Sequence, residues 1–206
     1  MPSGTGASVQ GMAFPDEKAL ADVVSPLASA LGLELETVTV TKAGAKSSVR
    51  VAVDADERPD LDKLEELSQA VSEEFDARET SGTLNFGPGY TFEVTTPGVD
   101  TPLTQPRHFR RNIGRLVTFA VSGNGGSKDT LRIAAVDEQP AGPAGSAEPT
   151  VWMIRPGEKK RDAPTVEPHG LASVAGALVE VEFSEAPAEQ RALVGLNPEQ
   201  YHDKTR

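Results

Sequence analysis

Eleven carboxylates lie between residues 54 and 79, namely Asp54, Asp56, Glu57, Asp60, Asp62, Glu65, Glu66, Glu73, Glu74, Asp76 and Glu79, against Arg58, Lys63 and Arg78. Acids at that density can do one of two things. Paired in a sheltered cleft they would act as the acid and base of a small hydrolase. Turned outward, they set up a negative field that attracts a basic partner and speeds its association. The opposite charge gathers in Arg107, Arg110, Arg111 and Arg115, whose planar guanidinium forks suit phosphate oxygens, and again in the run Lys159, Lys160 and Arg161. Other chemistry finds no footing. His108, His169 and His202 have no spacing that would bring ligands to one face, and the chain has no cysteine. Gly87-Pro88-Gly89 lacks the Lys-Ser or Lys-Thr of a phosphate loop, Gly123 to Gly126 reads as a hairpin turn, and no serine sits in a nucleophile elbow. No catalytic residue, metal or cofactor is expected.

The elements that must carry these groups can be read from periodicity. Leu20, Val23, Val24, Leu27 and Leu31 recur at helical spacing, with Asp16 or Pro15 as the start, Gly32 as the stop and Pro26 as an expected kink or fresh start. Leu33 and Leu35, then Val38 and Val40, alternate with one slip of phase, which a bulge would absorb. A turn containing Gly44 leads to Val49, Val51 and Val53, giving a hairpin. Asp60 caps a second helix with an apolar stripe of Leu61, Leu64, Leu67, Val71 and Phe75, which turns its acids outward. A strand over 90–96 ends at Pro97-Gly98, a pair suited to the centre of a type II turn. Helix, strand, strand, helix, strand predicts two helices covering one small mixed sheet, an α/β sandwich over residues 15–103.

Beyond it the pattern changes. Thr104 is expected to cap a short helix with Pro106 in its first turn and Gly114 past its end. Its Phe109 and Ile113 face inward and Arg107, Arg110 and Arg111 face the other way. Short strands follow at 116–121, 131–136, 151–154 and 178–183, which predicts a small β-barrel domain over 104–184. Loop insertions are expected at 138–149, rich in Pro, Ala, Gly and Ser, and at 156–168. Residues 1–14 read as a tail, and 185–206 as a tail or a short helix with a weakly apolar patch at Leu193, Val194 and Leu196. The fold class expected is therefore α+β in two domains.

Composition sets the outer limits. The 206 residues carry a formal charge of −11, which repels bare nucleic acid over most of the surface and favours a basic partner. No window approaches the about 20 apolar residues that span a bilayer, and the absence of cysteine fits the cytosol. With no coiled-coil pattern or apolar stripe left over, a monomer is expected.

One segment carries a resemblance. Glu93-Val94-Thr95-Thr96-Pro97-Gly98-Val99-Asp100-Thr101-Pro102-Leu103 resembles the signature of the RimP family of ribosome maturation factors, in which a strand ends in a Ser-Pro-Gly turn followed by an aliphatic residue and Asp-Arg-Pro-Leu. Val24-Ser25-Pro26-Leu27 through Gly32-Leu33-Glu34-Leu35, and Val51-Ala52-Val53-Asp54, look like the family's opening helix and strands. The likeness covers residues 17–137 well and 151–183 loosely, in an actinobacterial-like form. Thr101 stands where the family has Arg, and Gly176-Ala177 where a basic residue before Ala is common.

The resemblance implies a non-enzymatic factor that binds the free or immature small ribosomal subunit and helps its assembly. It implies an SH3-like barrel as the second domain and a very basic small-subunit ribosomal protein, the twelfth, as partner. Asp54, Asp56, Glu57, Glu65, Glu66, Glu73 and Glu74 then become the candidate face for that protein. Arg107, Arg110, Arg111 and Arg115, with Lys159, Lys160 and Arg161, become candidate contacts to ribosomal RNA. Pro97, Gly98, Asp100, Pro102 and Leu103 would form the junction between the domains. A small acidic hydrolase using paired carboxylates is the alternative reading.

Overall fold

The computed structural model describes residues 14–43, 46–121, 127–138, 148–157, 162–197 and 200–201. The chain divides into two compact units, Met1–Pro97 and Gly98–Arg206.

In the first unit, α1 (Glu17–Ala30) begins where the Asp16 carboxylate accepts the amide of Ala19 at 2.7 Å, satisfying one of the orphan donors of the first turn. It ends at Gly32, whose φ of 71° lets the Leu33 amide reach back to the Ala28 carbonyl. Pro26 breaks nothing: its ring lies on the exposed side, and the helix runs through at the cost of one backbone bond. Strands β1 (Glu34–Ala43) and β2 (Lys46–Asp54) pair antiparallel with a register shift between Leu35 and Thr37, where the alternation slipped. Helix α2 (Leu61–Thr80), capped by Asp60, crosses over to β3 (Tyr90–Thr95), which lies parallel to β2. The sheet order is β1-β2-β3.

Val38, Val49, Val51 and Val53 point to one side of this sheet and pack with Leu20, Val24, Leu67, Val71 and Phe75 of the helices. Phe14, expected in a tail, instead packs edge-on to Phe86 at 5.5 Å, and Phe86 stacks on Tyr90 at 4.2 Å. Leu61 does not join the stripe. It is 82% exposed, so the buried face of α2 begins a turn later, with Leu64 half-buried and Leu67 fully buried.

The second unit opens with α3 (Pro106–Arg111). The strands β4 (Leu116–Ala120), β5 (Lys128–Asp137), β6 (Thr150–Arg155), β7 (Thr165–Gly170) and β8 (Leu178–Val179) form one antiparallel sheet in the order β7-β6-β5-β4-β8. A loop was expected across 156–168, but its end is strand. Pro168 lies within it, and β7 is an edge strand, where a residue with no amide to donate is tolerated. The last strand is shorter than the expected 178–183, its ladder ending after two residues.

This sheet is not a closed barrel: among the described residues its edge strands β7 and β8 do not pair. It is nonetheless strongly curled. Phe119 on β4 and His169 on β7 touch at 5.7 Å between ring centroids, although two strands separate them and a flat sheet would hold them more than about 14 Å apart. The concave face packs Val117, Leu131, Ile133, Val151 and Met153 against Leu103, Phe109, and Val174 of α4 (Leu171–Val174).

The convex face is apolar as well. Ala135, Trp152, Ile154 and Val166 are covered by the C-terminal segment, through Leu193, Val194, Leu196 and Tyr201, whose ring stacks on Trp152 at 5.4 Å. The Tyr201 hydroxyl donates to the Leu193 carbonyl at 2.7 Å and accepts the Leu196 amide at 3.0 Å. Residues 185–197, which include the short helix α5 (Ala188–Arg191), and Tyr201 therefore form a cover over β5 and β6, where a tail or a short helix was expected. A strand buried on both faces needs continuous apolar sequence, which is what β6 has in Val151-Trp152-Met153-Ile154.

Candidate functional site

Helix α2 places its acids as the periodicity predicts. Asp62, Glu65, Glu66, Glu73 and Asp76 recur on the side opposite Leu67, Val71 and Phe75, and all five are exposed. Asp56 and Glu57, in the turn before the helix, are exposed as well. Asp54 and Glu74 are half-buried: Asp54 accepts the Ala55 amide at 2.9 Å, and Glu74 pairs with Arg78 at 2.6 Å. The candidate face is thus a stripe of carboxylates that are mostly exposed to solvent.

The arginines of α3 are half-exposed, while Arg115 beyond the helix is exposed. Phe109 is fully buried on the inner side and anchors the helix to the sheet. Arg110 pairs with Glu138, and Arg107 donates to the side chain of Gln105. The cap lies one residue later than expected, at Gln105 in place of Thr104. The imidazole Nδ1 of His108, which sequence reasoning left without a role, accepts the amides of Thr104 at 3.0 Å and Gln105 at 3.3 Å. Lys159, Lys160 and Arg161 lie outside the described residues, as do residues 139–147 of the first insertion.

The Pro97-Gly98 turn differs from expectation in an instructive way. Gly98 is not among the glycines with positive φ, so the pair does not form a type II turn. The turn instead spans Gly98 to Thr101, closed by the Thr101 amide on the Gly98 carbonyl at 3.0 Å. A Cβ at position 98 would lie 2.5 Å from Oδ1 of the exposed Asp100 side chain, which could swing aside to admit it. Pro102 is exposed, while Leu103 is 6% exposed and bonds in both directions to the far side of its own unit, to Ala177 at 2.8 Å and from Gly176 at 2.7 Å. Leu103 belongs to the concave core of the second unit, not to the end of the first.

Two charged clusters were missed because each assembles from strands far apart in sequence. Arg132 is 3% exposed. It donates to both Glu182 oxygens at 2.8 and 2.6 Å, to the Gly114 carbonyl at 2.8 Å and to Gln190 Oε1 at 2.9 Å. These bonds hold the Glu182 carboxyl below the usual carboxylate range. At one end of the concave face Arg155 bridges Glu167 at 2.6 Å and Asp129 at 2.6 Å, lowering both carboxyls.

His169 lies beside them, its Nε2 3.6 Å from Glu167 Oε2, and burial holds the imidazole below its ordinary range. Asp129 and Glu167 do converge, but on a guanidinium that keeps both ionised, so the pair offers no proton donor for hydrolysis. A groove on the open face of the first sheet, lined by Thr39, Thr41, Ser48, Arg50, Thr91 and Glu93, holds one carboxylate, already bonded to Arg50 at 3.0 Å. Among the described residues no three His, Asp or Glu side chains are placed to hold a metal ion, and no helix is long and apolar enough to cross a membrane.

Residues 23–100 match the RimP N-terminal domain family. The chain is 44% identical to the ribosome maturation factor RimP of Corynebacterium urealyticum over 195 residues, 93% of this chain and 96% of that protein. It is 45% identical to that of Corynebacterium aurimucosum over 86% of this chain and 88% of that one. The match to the Frankia casuarinae protein of the same name is 47% over 74% of this chain and 54% of that protein.

Proposed function

The chain belongs to the RimP family of ribosome maturation factors, and on that premise we propose that it binds the free or immature small ribosomal subunit and assists its assembly by binding alone, with no bond made or broken. The partner we infer for the acidic stripe is the basic small-subunit protein named above, the twelfth. The observation that carries this reading is the outward, exposed array of Glu65, Glu66 and Glu73 on α2, flanked by Asp56 and Glu57. Such an array raises association rates with a cationic surface and has no catalytic geometry.

Arg107, Arg110, Arg111 and Arg115, with Lys159, Lys160 and Arg161, are the proposed contacts to nearby ribosomal RNA, since guanidinium forks fit phosphate. We read the curled second sheet as an SH3-like barrel left open between β7 and β8. In this reading the protein acts as a monomer in the cytoplasm. The turn of Pro97, Gly98, Asp100 and Pro102 serves architecture.

Cosedimentation tests the proposal. The full chain should travel with free small subunits at moderate salt and not with complete ribosomes. Triple charge reversal at Glu65, Glu66 and Glu73 to Lys should weaken that binding most at low ionic strength. A protein that ignores small subunits at every salt concentration refutes it.

A further inference from the structure

The arginines on and after α3 do not stand alike. Arg107, Arg110 and Arg111 recur at spacings of three and four on the helix and are half-exposed, while Arg115 lies beyond it in solvent. Arg110 is matched by an acid of its own unit, Glu138, which follows directly on β5. The two side chains keep 37% and 41% of their surface in water.

Their meeting is imposed by the fold. Buried Phe109 anchors α3 to the sheet. Two backbone bonds then tie the exit of the helix to β5, from the Gly114 amide to the Ile133 carbonyl at 2.8 Å and from the Ile133 amide to the Arg115 carbonyl at 2.9 Å. The strand runs on from Ile133 to Asp137 and delivers Glu138 to Arg110. The carboxylate is therefore in place before any partner arrives.

Carboxylate and phosphate make the same demand of arginine, two oxygens set against its fork of N–H donors. Glu138 thus occupies the ground that an RNA phosphate would need at Arg110, and its charge repels that phosphate as well. The pair is exposed, so giving it up shifts an equilibrium by about fivefold at most. It can be exchanged, unlike the pair of Arg132 with Glu182, whose arginine is buried.

We propose that Glu138 is an intramolecular competitor for the RNA backbone at Arg110, which holds down affinity for bare RNA until a phosphate displaces it. This rests on the reading that α3 faces RNA. In a chain with a formal charge of −11, the competitor sets how readily the arginine helix accepts a loose strand.

The test uses the full chain and a fluorescein-labelled RNA hairpin of about a dozen base pairs, followed by anisotropy from about 50 to 200 mM salt. Glu138→Gln keeps an oxygen for Arg110 but removes the charge, and should bind about two- to fivefold more tightly at the low end. The released fork adds one phosphate contact, so the slope of log affinity against log salt should steepen by about 0.7–0.9. Glu138→Ala should tighten binding as well. In an Arg110→Gln background, Glu138→Gln should gain nothing. Both side chains are part-exposed, so every variant should unfold in urea at the parent's midpoint.

The proposal is overturned if Glu138→Gln binds no more tightly than the parent. It is equally overturned if the gain persists without Arg110, which would make it a general effect of charge, or if Glu138→Ala weakens binding, which would make Glu138 a support for Arg110 and not its rival. If Arg110→Gln weakens the parent while Glu138→Gln changes nothing, the RNA contact stands and the competitor falls. If no variant binds the hairpin at the lowest salt, both fall, and cosedimentation with small subunits judges the acidic stripe alone.

Discussion

Replacing Arg132 by Ala should be the most damaging single change in the second unit that spares its apolar core. The side chain is 3% exposed and makes four hydrogen bonds, two to Glu182 and one each to Gln190 and the Gly114 carbonyl. Removing one partner of a buried pair costs about 3–5 kcal/mol, because the other is left uncompensated. Glu182 keeps 24% of its side chain in water and recovers part of its hydration, so the lower end, about 3 kcal/mol, applies.

Trp152 is the only tryptophan and sits in this unit, so its fluorescence in urea reports the second unit alone. With a slope of about 1.5 kcal/mol per molar urea for a unit this size, the midpoint should fall by about 2 M. Glu182→Ala should fall by less, and the double variant by less than the sum, giving a coupling of about 2 kcal/mol. A drop under about 0.5 M for Arg132→Ala would refute the claim that the pair organises the unit.

Three further outcomes follow from the same contacts. Leu103→Ala should cost about 2–4 kcal/mol in the transition followed by Trp152, because Leu103 packs in the concave core; an unchanged Trp152 transition would place it elsewhere. Tyr201→Ala should cost about 3 kcal/mol and shift Trp152 emission to the red as the convex face is wetted, and emission identical to the parent would show that the C-terminal cover does not shield that ring. Stability of the second unit should decline with acid in two stages. Burial lowers the His169 pKa, so its contribution is complete above about pH 6.5 and is lost as pH falls through the folded value. Arg155 lowers Asp129 and Glu167 and Arg132 lowers Glu182, so their contribution is lost further down, below about pH 4.5. His169→Gln should abolish the first stage in melting temperature against pH, and a parent-like profile in that variant would exclude the histidine.

The first unit was nearly legible from sequence because its determinants are local. Asp16 and Asp60 cap the helices that follow them, the slipped alternation at Leu35 marks a real register shift, and the two amphipathic helices face one sheet. Leu61 misled because periodicity gives a direction on a helix and not how far the covered surface extends. The second unit was less legible because its order depends on partners distant along the chain. Strand β7 carries Pro168, which only its edge position permits, and the segment after Phe183 looks like a polar tail until the apolar convex face of β5 and β6 is seen to need a cover. Gly98 shows the same limit at small scale. A glycine after proline suggested positive φ, but Gly98 has none, and the turn runs instead from Gly98 to the Thr101 amide that closes it.

Charge is used in opposite ways in the two units, and this explains why the formal total says little about where a partner lands. In the first unit Glu65, Glu66 and Glu73 stay in solvent, where their field reaches about 10 Å at 0.1 M salt. In the second, Arg132, Arg155, Asp129, Glu167 and Glu182 close on one another within 3 Å, so their fields largely cancel and their effect is to fix strands in place. Raising salt should therefore weaken attraction to the α2 stripe while leaving the fold of the second unit nearly untouched. Titrating both properties in one buffer series would separate them: parallel loss of partner binding and of the Trp152 transition with rising salt would mean that the internal pairs are solvated, contrary to the burial of Arg132.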